Sequence, residues 1–374
     1  MTARKLTGIF VAATALLLAT AQAVEWRVVQ QHGRDYVSFQ NVAEFYQFGE
    51  YSHANRTISL RNERRGIRAQ AGTSELYING VRFFTHFQLL ERSDAHLISA
   101  FDIGKLVEPI LRPSRIQNAE RVETVVLDPG HGGTDQGTAS SWGSEKAFAL
   151  DVALIAREEL QKAGFKVEMT RMSDTGLSLE ERIEFANRFA NAVFVSIHFN
   201  SGYGGAGVES YRLAPEGIVS TAATGGEHHA AANDSLPDLG NAQDNQNIAL
   251  TAAVHAAVLS RVSAYDRGVR HARFKVLRHI KIPALLLEAG FLNDPAEGQR
   301  IATPQYRQQL GAAIAQGVQN YNAAVNYRSP NTTFAVVRSN LPPHTRSITE
   351  PLAESRLPER APADPPSVSI NGGE

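Results

Sequence analysis

The sequence predicts an α/β fold: a mostly parallel twisted sheet flanked by helices over residues 122–325, preceded by a small β-rich α+β domain over residues 24–112. Three observations carry that expectation. Apolar, β-branched runs at 122–127, 193–197 and 283–287 have the continuous hydrophobicity of strands buried on both faces. Amphipathic helical stripes lie between them, and this alternation is the pattern of a parallel sheet covered on each side. Ahead of residue 113 the chain instead reads as short strands separated by polar turns.

At 374 residues the chain is too long for one ordinary domain and suits two. With 43% hydrophobic and 20% charged residues it has a globular composition. Its 37 basic and 38 acidic side chains nearly cancel, so there is no electrostatic reason to expect nucleic acid as a partner. Cysteine is absent, which excludes disulfides, thiolate metal sites and cysteine nucleophiles. Any bound metal must therefore use His, Asp or Glu.

The elements follow in order. Arg4 and Lys5, an apolar run at 6–19 and the small-x-small motif Ala21-Gln22-Ala23 read as a signal peptide over residues 1–23. The apolar run is shorter than the roughly 20 residues that span a bilayer, and no later stretch is long enough, so no stable membrane span is expected after cleavage. The expected address is periplasmic or secreted. Over 24–112 short strands are read near 26–29, 36–39, 56–60, 74–78 and 97–100, with a brief helix at 41–48. Residues 113–121 read as a linker.

In the second domain a helix is expected at 145–163, with Ala149, Val152, Ala153, Ala156 and Leu160 on one stripe and Gly164 as its stop. A strand at 166–170 follows, then the capping box Ser178-Leu179-Glu180-Glu181, which opens a helix to about residue 190. A strand at 208–213 precedes an aperiodic loop at 214–245 rich in Gly, Asn, Asp and His. Helices return at 247–264 and 304–321, the latter with proline at its first position. Residues 326–374 hold about half of the chain's 16 prolines and read as a disordered tail.

The polar exceptions gather at strand ends. His131 lies just past the first strand of the second domain, His198 at the end of another, Glu288 at the end of a third, and Glu145 heads the intervening helix. In open α/β sheets ligands bind beyond the carboxyl ends of the strands, so these four can meet without a local motif. Two imidazoles and two carboxylates are the inventory of a hydrolytic zinc site, three groups as ligands and the remaining carboxylate as base. Glu288 follows Leu285-Leu286-Leu287, where an acid without a partner would be expensive, and is the most informative of the four. Taken singly, His131 has a surface-turn reading, His198 a core reading and Glu145 that of a helix-dipole acid. Asp128 and Asn200 are candidates to orient the rings, while Asp135 reads as a turn residue. His228 and His229 read as a solvated pair, and Arg171 and Arg182 as either substrate contacts or helix anchors.

Asp128-Pro129-Gly130-His131-Gly132-Gly133, Glu145-Lys146, Ser196-Ile197-His198-Phe199-Asn200, Arg267-Gly268-Val269 and Leu287-Glu288-Ala289-Gly290-Phe291-Leu292-Asn293 resemble, in order and spacing, the zinc-dependent N-acetylmuramoyl-L-alanine amidases of the type 3 class. The resemblance covers about residues 122–321. It implies one Zn2+ held by His131, Glu145 and His198, with Glu288 as the catalytic carboxylate. It further implies hydrolysis of the amide between N-acetylmuramic acid and L-alanine of peptidoglycan. A protein activator is a candidate partner beside peptidoglycan. Phe199 departs from the family's usual small residue, and the 214–245 loop looks longer. Rival readings are a wall-binding or activator protein without catalysis, and a zinc peptidase acting on stem peptides. Asp35-Tyr36-Val37-Ser38-Phe39 and Tyr77-Ile78-Asn79-Gly80 are distantly similar to the small domain at the start of copper amine oxidases, which in such attachments implies no copper chemistry.

Overall fold

A computed structural model describes residues 24–202, 205–220 and 236–327. The leader, His228 and His229, and the tail beyond Tyr327 lie outside the described residues. Among the described residues no helix is long and apolar enough to cross a membrane.

The amino-terminal part is built from hairpins. β1 (Val28–Gln31) and β2 (Arg34–Ser38) pair antiparallel. The Ser38 side chain then accepts from the Asn41 amide and caps α1 (Phe39–Tyr46). An antiparallel meander follows: β3 (Glu50–Ala54), β4 (Thr57–Arg61), β5 (Gly66–Gln70), β6 (Glu75–Ile78) and β7 (Val81–Phe84). Its alternation is clean, because Ile58, Leu60, Ile67, Leu76, Ile78 and Phe83 are buried while Arg61 and Arg68 on the intervening positions are exposed. β8 (Leu90–Glu91) and β9 (His96–Ser99) return the chain beside β2. It leaves through α2 (Ala100–Asp102), a π turn (Ile103–Val107) and α3 (Glu108–Leu111).

The second part opens with β10 (Thr124–Pro129), buried at every position. A small hairpin of β11 (Ala139–Ser140) and β12 (Gly143–Ser144) feeds α4 (Glu145–Lys162). There follow β13 (Lys166–Met169), α5 (Leu179–Ala186), β14 (Ala192–Asn200), β15 (Val208–Leu213) and α6 (Asp244–Arg261). The chain then forms β16 (Asp266–Ala272), α7 (Lys275–Arg278), β17 (Ala284–Phe291), α8 (Pro295–Ile301) and α9 (Pro304–Val325). The predicted capping box at Ser178 is present and opens α5. In order β13-β10-β14-β17-β15-β16, every junction is parallel except β17–β15. One face buries Val152, Ala156, Val254 and Ile314 of α4, α6 and α9, and the other buries Ile183, Phe274 and Val276 with Phe194 and Leu286.

Several elements were not legible beforehand. β3, β5 and β7 are short and polar on one face, and β16 is interrupted by Gly268. α7 and α8 are too short for a helical period to register. The amino-terminal part keeps a four-stranded sheet of its own, β1-β2-β9-β8, while its meander joins the sheet of the second part. β16 pairs parallel with β7 through Val269 and Phe83, giving one sheet of eleven strands, β13-β10-β14-β17-β15-β16-β7-β6-β5-β4-β3. The Arg82 amide donates to Asp266 Oδ2 at 2.9 Å across this junction. Ile248 of α6 and Val269 are buried in the core of the amino-terminal part.

A buried polar chain pins the same junction. Arg212 is 1% exposed and donates to His86 Nε2 at 2.6 Å, while His86 Nδ1 lies 2.6 Å from Asp102. A guanidinium only donates, so His86 carries its proton on Nδ1, towards the carboxylate, and is neutral. Burial also pushes the imidazole pKa down, against the pull of Asp102.

Gly268 has φ +94°, and a Cβ there would lie 2.8 Å from the Phe84 ring and 3.1 Å from the Arg82 carbonyl. Gly268→Ala is therefore expected to destabilise the chain by about 1–3 kcal/mol. Urea unfolding reads this directly, and a midpoint unchanged from the parent would show that the junction does not need the glycine.

Candidate metal centre

The four predicted site residues meet at the carboxyl edge of the sheet. They line one cleft of about 230 Å³, between the ends of β10, β14 and β17, the head of α4 and the start of α5. β10 delivers Asp128 and Pro129 to a glycine-rich turn in which His131 takes φ +59°, a left-handed conformation uncommon for a side-chain-bearing residue. Gly137, at φ +61°, keeps the far side of that turn open: a Cβ there would sit 2.5 Å from the His131 ring and 2.6 Å from the Glu145 carboxylate.

Glu145 is the hub. It is 3% exposed at the first position of α4, where the helix dipole favours an acid. Its Oε1 lies 3.0 Å from His131 Nε2 and 2.9 Å from His198 Nδ1, and accepts from the Phe199 amide at 3.0 Å. Its Oε2 accepts from the Thr138 amide at 2.8 Å. Burial would push this carboxyl up, but hydrogen bonds and charge from the two imidazoles prevail and hold it far below the usual range. Burial would lower the His131 pKa, and Glu145 with Asp135 raises it instead.

One atom from each of His131, Glu145 and His198 lies within 4.8 Å of the others. That spacing allows the three groups to share one metal ion, and zinc takes His nitrogen and carboxylate oxygen as ligands. Two nitrogens and one oxygen with no thiolate suit that ion.

Glu288 stands in register with His198 on one side and Glu209 on the other. Its Oε2 is buried with no hydrogen-bond partner. Burial first, then the neighbouring charges of Glu145 and Glu209, push its pKa well up. The group is therefore poised to hold a proton, and a cation beside it would reverse that tendency.

The supporting residues differ from expectation. Asp135 orients a ring: its Oδ2 lies 2.7 Å from His131 Nδ1, while Oδ1 accepts from the Gly137 amide at 3.0 Å. Asp128 does not orient a ring. It is 1% exposed and pairs with Arg182 at 2.6 Å, with the hydroxyls of Thr170 and Ser196 donating at 2.7 and 2.8 Å. Burial raises this carboxyl, yet Arg182 and the Thr170 hydroxyl bring it below its ordinary value. Asn200 turns away as well, donating to Glu209 Oε1 at 2.6 Å. Arg171 donates to the carbonyls of Pro129, Gly130, Ser173 and Lys146, so it and Arg182 anchor the loop that carries His131. Phe199 points to the opposite face and packs 6.4 Å from Phe148 in the core.

Glu209 was missed by sequence reading. It is 4% exposed and bound by Arg267 at 3.1 Å, Arg270 at 3.3 Å and the Tyr211 hydroxyl at 3.0 Å. The available signal was an acid inside the strand Val208–Leu213, with Arg267 in a motif downstream.

A His/Glu/His cluster at the carboxyl edge of an α/β sheet, with a half-buried carboxylate alongside whose inner oxygen has no hydrogen-bond partner, is the donor set of a metallohydrolase. Comparison with known families places the chain more narrowly. Residues 125–320 match the family described as N-acetylmuramoyl-L-alanine amidase, and the chain belongs to that family. A sporulation-specific N-acetylmuramoyl-L-alanine amidase of Bacillus subtilis is 32% identical over 197 residues, covering 52% of this chain and 66% of that protein. The N-acetylmuramoyl-L-alanine amidase AmiC of Neisseria meningitidis serogroup B is 33% identical over 231 residues, covering 56% of this chain and 55% of that protein. The crystal structure of an N-acetylmuramoyl-L-alanine amidase from Clostridium difficile 630 aligns with 33% identity and a TM-score of 0.43, covering 54% of this chain and 97% of that one. The chain thus spans about half to two thirds of the length of these curated relatives.

Asp128→Asn would leave the Arg182 guanidinium buried without its counter-ion, and is expected to lower stability by about 3–5 kcal/mol. Because the folded carboxyl is held below its ordinary value of about 3.9, the charged pair contributes fully above that pH and fades as pH falls through the lower folded value. Denaturation of both proteins at neutral pH and near pH 3 checks this, and a gap that widened on acidification would contradict it.

Proposed function

We propose that this chain is an exported peptidoglycan hydrolase that cleaves the amide between N-acetylmuramic acid and the L-alanine of the stem peptide. The observation that supports this most is the buried, partnerless Glu288 oxygen beside the His131, Glu145 and His198 cluster, in a chain of the amidase family. His131, Glu145 and His198 would hold one zinc ion. Bound zinc would supply an electrophile that polarises the scissile carbonyl and makes water acidic near pH 7.

The remaining work falls to the chain itself. Glu288 takes the proton of the attacking water on its carboxylate and returns it to the departing nitrogen of L-alanine. Its apolar strand and the charges of Glu145 and Glu209 keep its proton affinity high enough for both transfers. Asp135 fixes the His131 ring so that Nε2 faces the cluster. Arg171 and Arg182 keep the turn that carries His131 from moving away.

The leader at 1–23, the division into 24–112 and 122–325 with a 113–121 linker, and the 326–374 tail belong to this reading. A periplasmic or secreted address puts the enzyme where peptidoglycan lies.

Glu288→Gln is expected to retain about one zinc per chain by elemental analysis while losing roughly 10²–10⁴ in turnover. His198→Ala should lose metal and turnover together. Mass spectrometry of digested wall fragments identifies the bond. Intact stem peptides with an L-alanine amino terminus support the amidase, shortened peptides would assign a peptidase, and no products from zinc-loaded protein would assign a wall-binding protein.

A further inference from the structure

A single register line crosses the eleven-stranded sheet from the cleft to the amino-terminal meander. His198 pairs with Glu288, Glu288 with Glu209, and Glu209 with Gly268. Past the junction where Val269 lies opposite Phe83, the line continues through Arg82, Tyr77, Arg68 and Ser59. Residues directly opposite one another project from the same face of a sheet, so this line lies on one face, with Glu209 and Gly268 buried beneath Arg267, Arg270 and Phe84 in its middle. Over β14 and β17 it bounds the cleft. Over the meander it is the face turned away from buried Leu76, Ile78 and Phe83.

That surface has a consistent chemistry. The Arg68 guanidinium lies 4.4 Å from the centre of the Tyr77 ring, and those of Arg82 and Arg270 lie 4.9 and 4.4 Å from the Phe84 ring. Arg267 lies 4.7 Å from the Phe291 ring, close to the cleft. Arg82 is paired with Glu75, and Arg267 and Arg270 share Glu209. Arg68 is exposed, and among the described residues no carboxylate pairs with it. Arg61, Arg64 and Arg65 stand at the adjoining hairpin, where the nearby acid in sequence is Glu63. The chain as a whole is nearly neutral, so this excess of guanidinium is local.

We infer that the outer face of the meander is a second substrate-binding surface, continuous with the cleft, which holds the peptidoglycan strand away from the bond being cut. This rests on the amidase reading. The seven strand spacings from His198 to Ser59 span roughly 34 Å, so a ligand that touches both ends is a polymer. Peptidoglycan offers sugar rings, whose apolar faces stack on Tyr77 and Phe84, and stem-peptide carboxylates, which guanidinium groups bind. The twist of the sheet turns the row into a helical ramp, so the bound strand wraps the molecule.

The test uses the full mature chain loaded with zinc and the double variant Arg64→Glu with Arg68→Glu. Both positions are exposed and neither touches the cleft. Sedimentation with insoluble purified peptidoglycan is expected to weaken by about tenfold, and less so as salt rises. Turnover of a single soluble disaccharide-peptide should match the parent, and so should the thermal midpoint, which verifies folding. Tyr77→Ala should weaken sedimentation without changing charge. Unchanged sedimentation of both variants would overturn the inference, as would a parent that pellets with anionic phospholipid vesicles and not with peptidoglycan. A parent that binds the polymer through these residues but hydrolyses nothing would leave the surface standing and remove the amidase reading.

Discussion

A buried carboxylate, Glu145, and a half-buried one, Glu288, lie beside each other at one edge of this sheet, and much of the molecule is arranged around that constraint. Glu145 is tolerated because two imidazoles and two backbone amides face it. Glu288 has no such company on its inner oxygen and responds by favouring its protonated form. A cation at the meeting point of His131, Glu145 and His198 would satisfy the first carboxylate and ease the second. The donor set thus fits a metal ion.

Holding those groups in place falls to buried polar contacts more than to apolar packing. The glycine-rich turn after β10 has little side-chain mass of its own, and it is fastened by Arg171 and Arg182 through its carbonyls. Asp128 holds Arg182 in place, with the Thr170 and Ser196 hydroxyls donating to its oxygens as well. Such a network is costly to break at any member, because each removal leaves a desolvated partner. Glu209 with Arg267 and Arg270 performs a similar service on the other flank.

Continuity of the sheet changes how the two parts should be regarded. A covalent linker alone would let the amino-terminal part reorient. Pairing of β7 with β16, burial of Ile248 and Val269 in its core, and the Arg212, His86 and Asp102 chain tie it to the strands that also carry the cleft. The meander is then an extension of the sheet that carries Glu288, and its outer face is held in fixed relation to that residue.

Local chemistry by itself determined the strands that are continuously apolar, the long helices with a clear stripe, the Ser178 capping box and the four residues of the centre. Each of these is written within one short segment: Val193 to His198 announces a buried strand leading to a histidine, and Leu285 to Glu288 an acid after an apolar run. Only the tertiary structure decided that Asp135 orients His131 while Asp128 serves Arg182, that Glu209 flanks Glu288, and that β7 and β16 join two sheets into one. These depend on the separation and direction of side chains brought together from distant segments. Periodicity reports which face a residue occupies, but not which neighbour the folded chain sets opposite it.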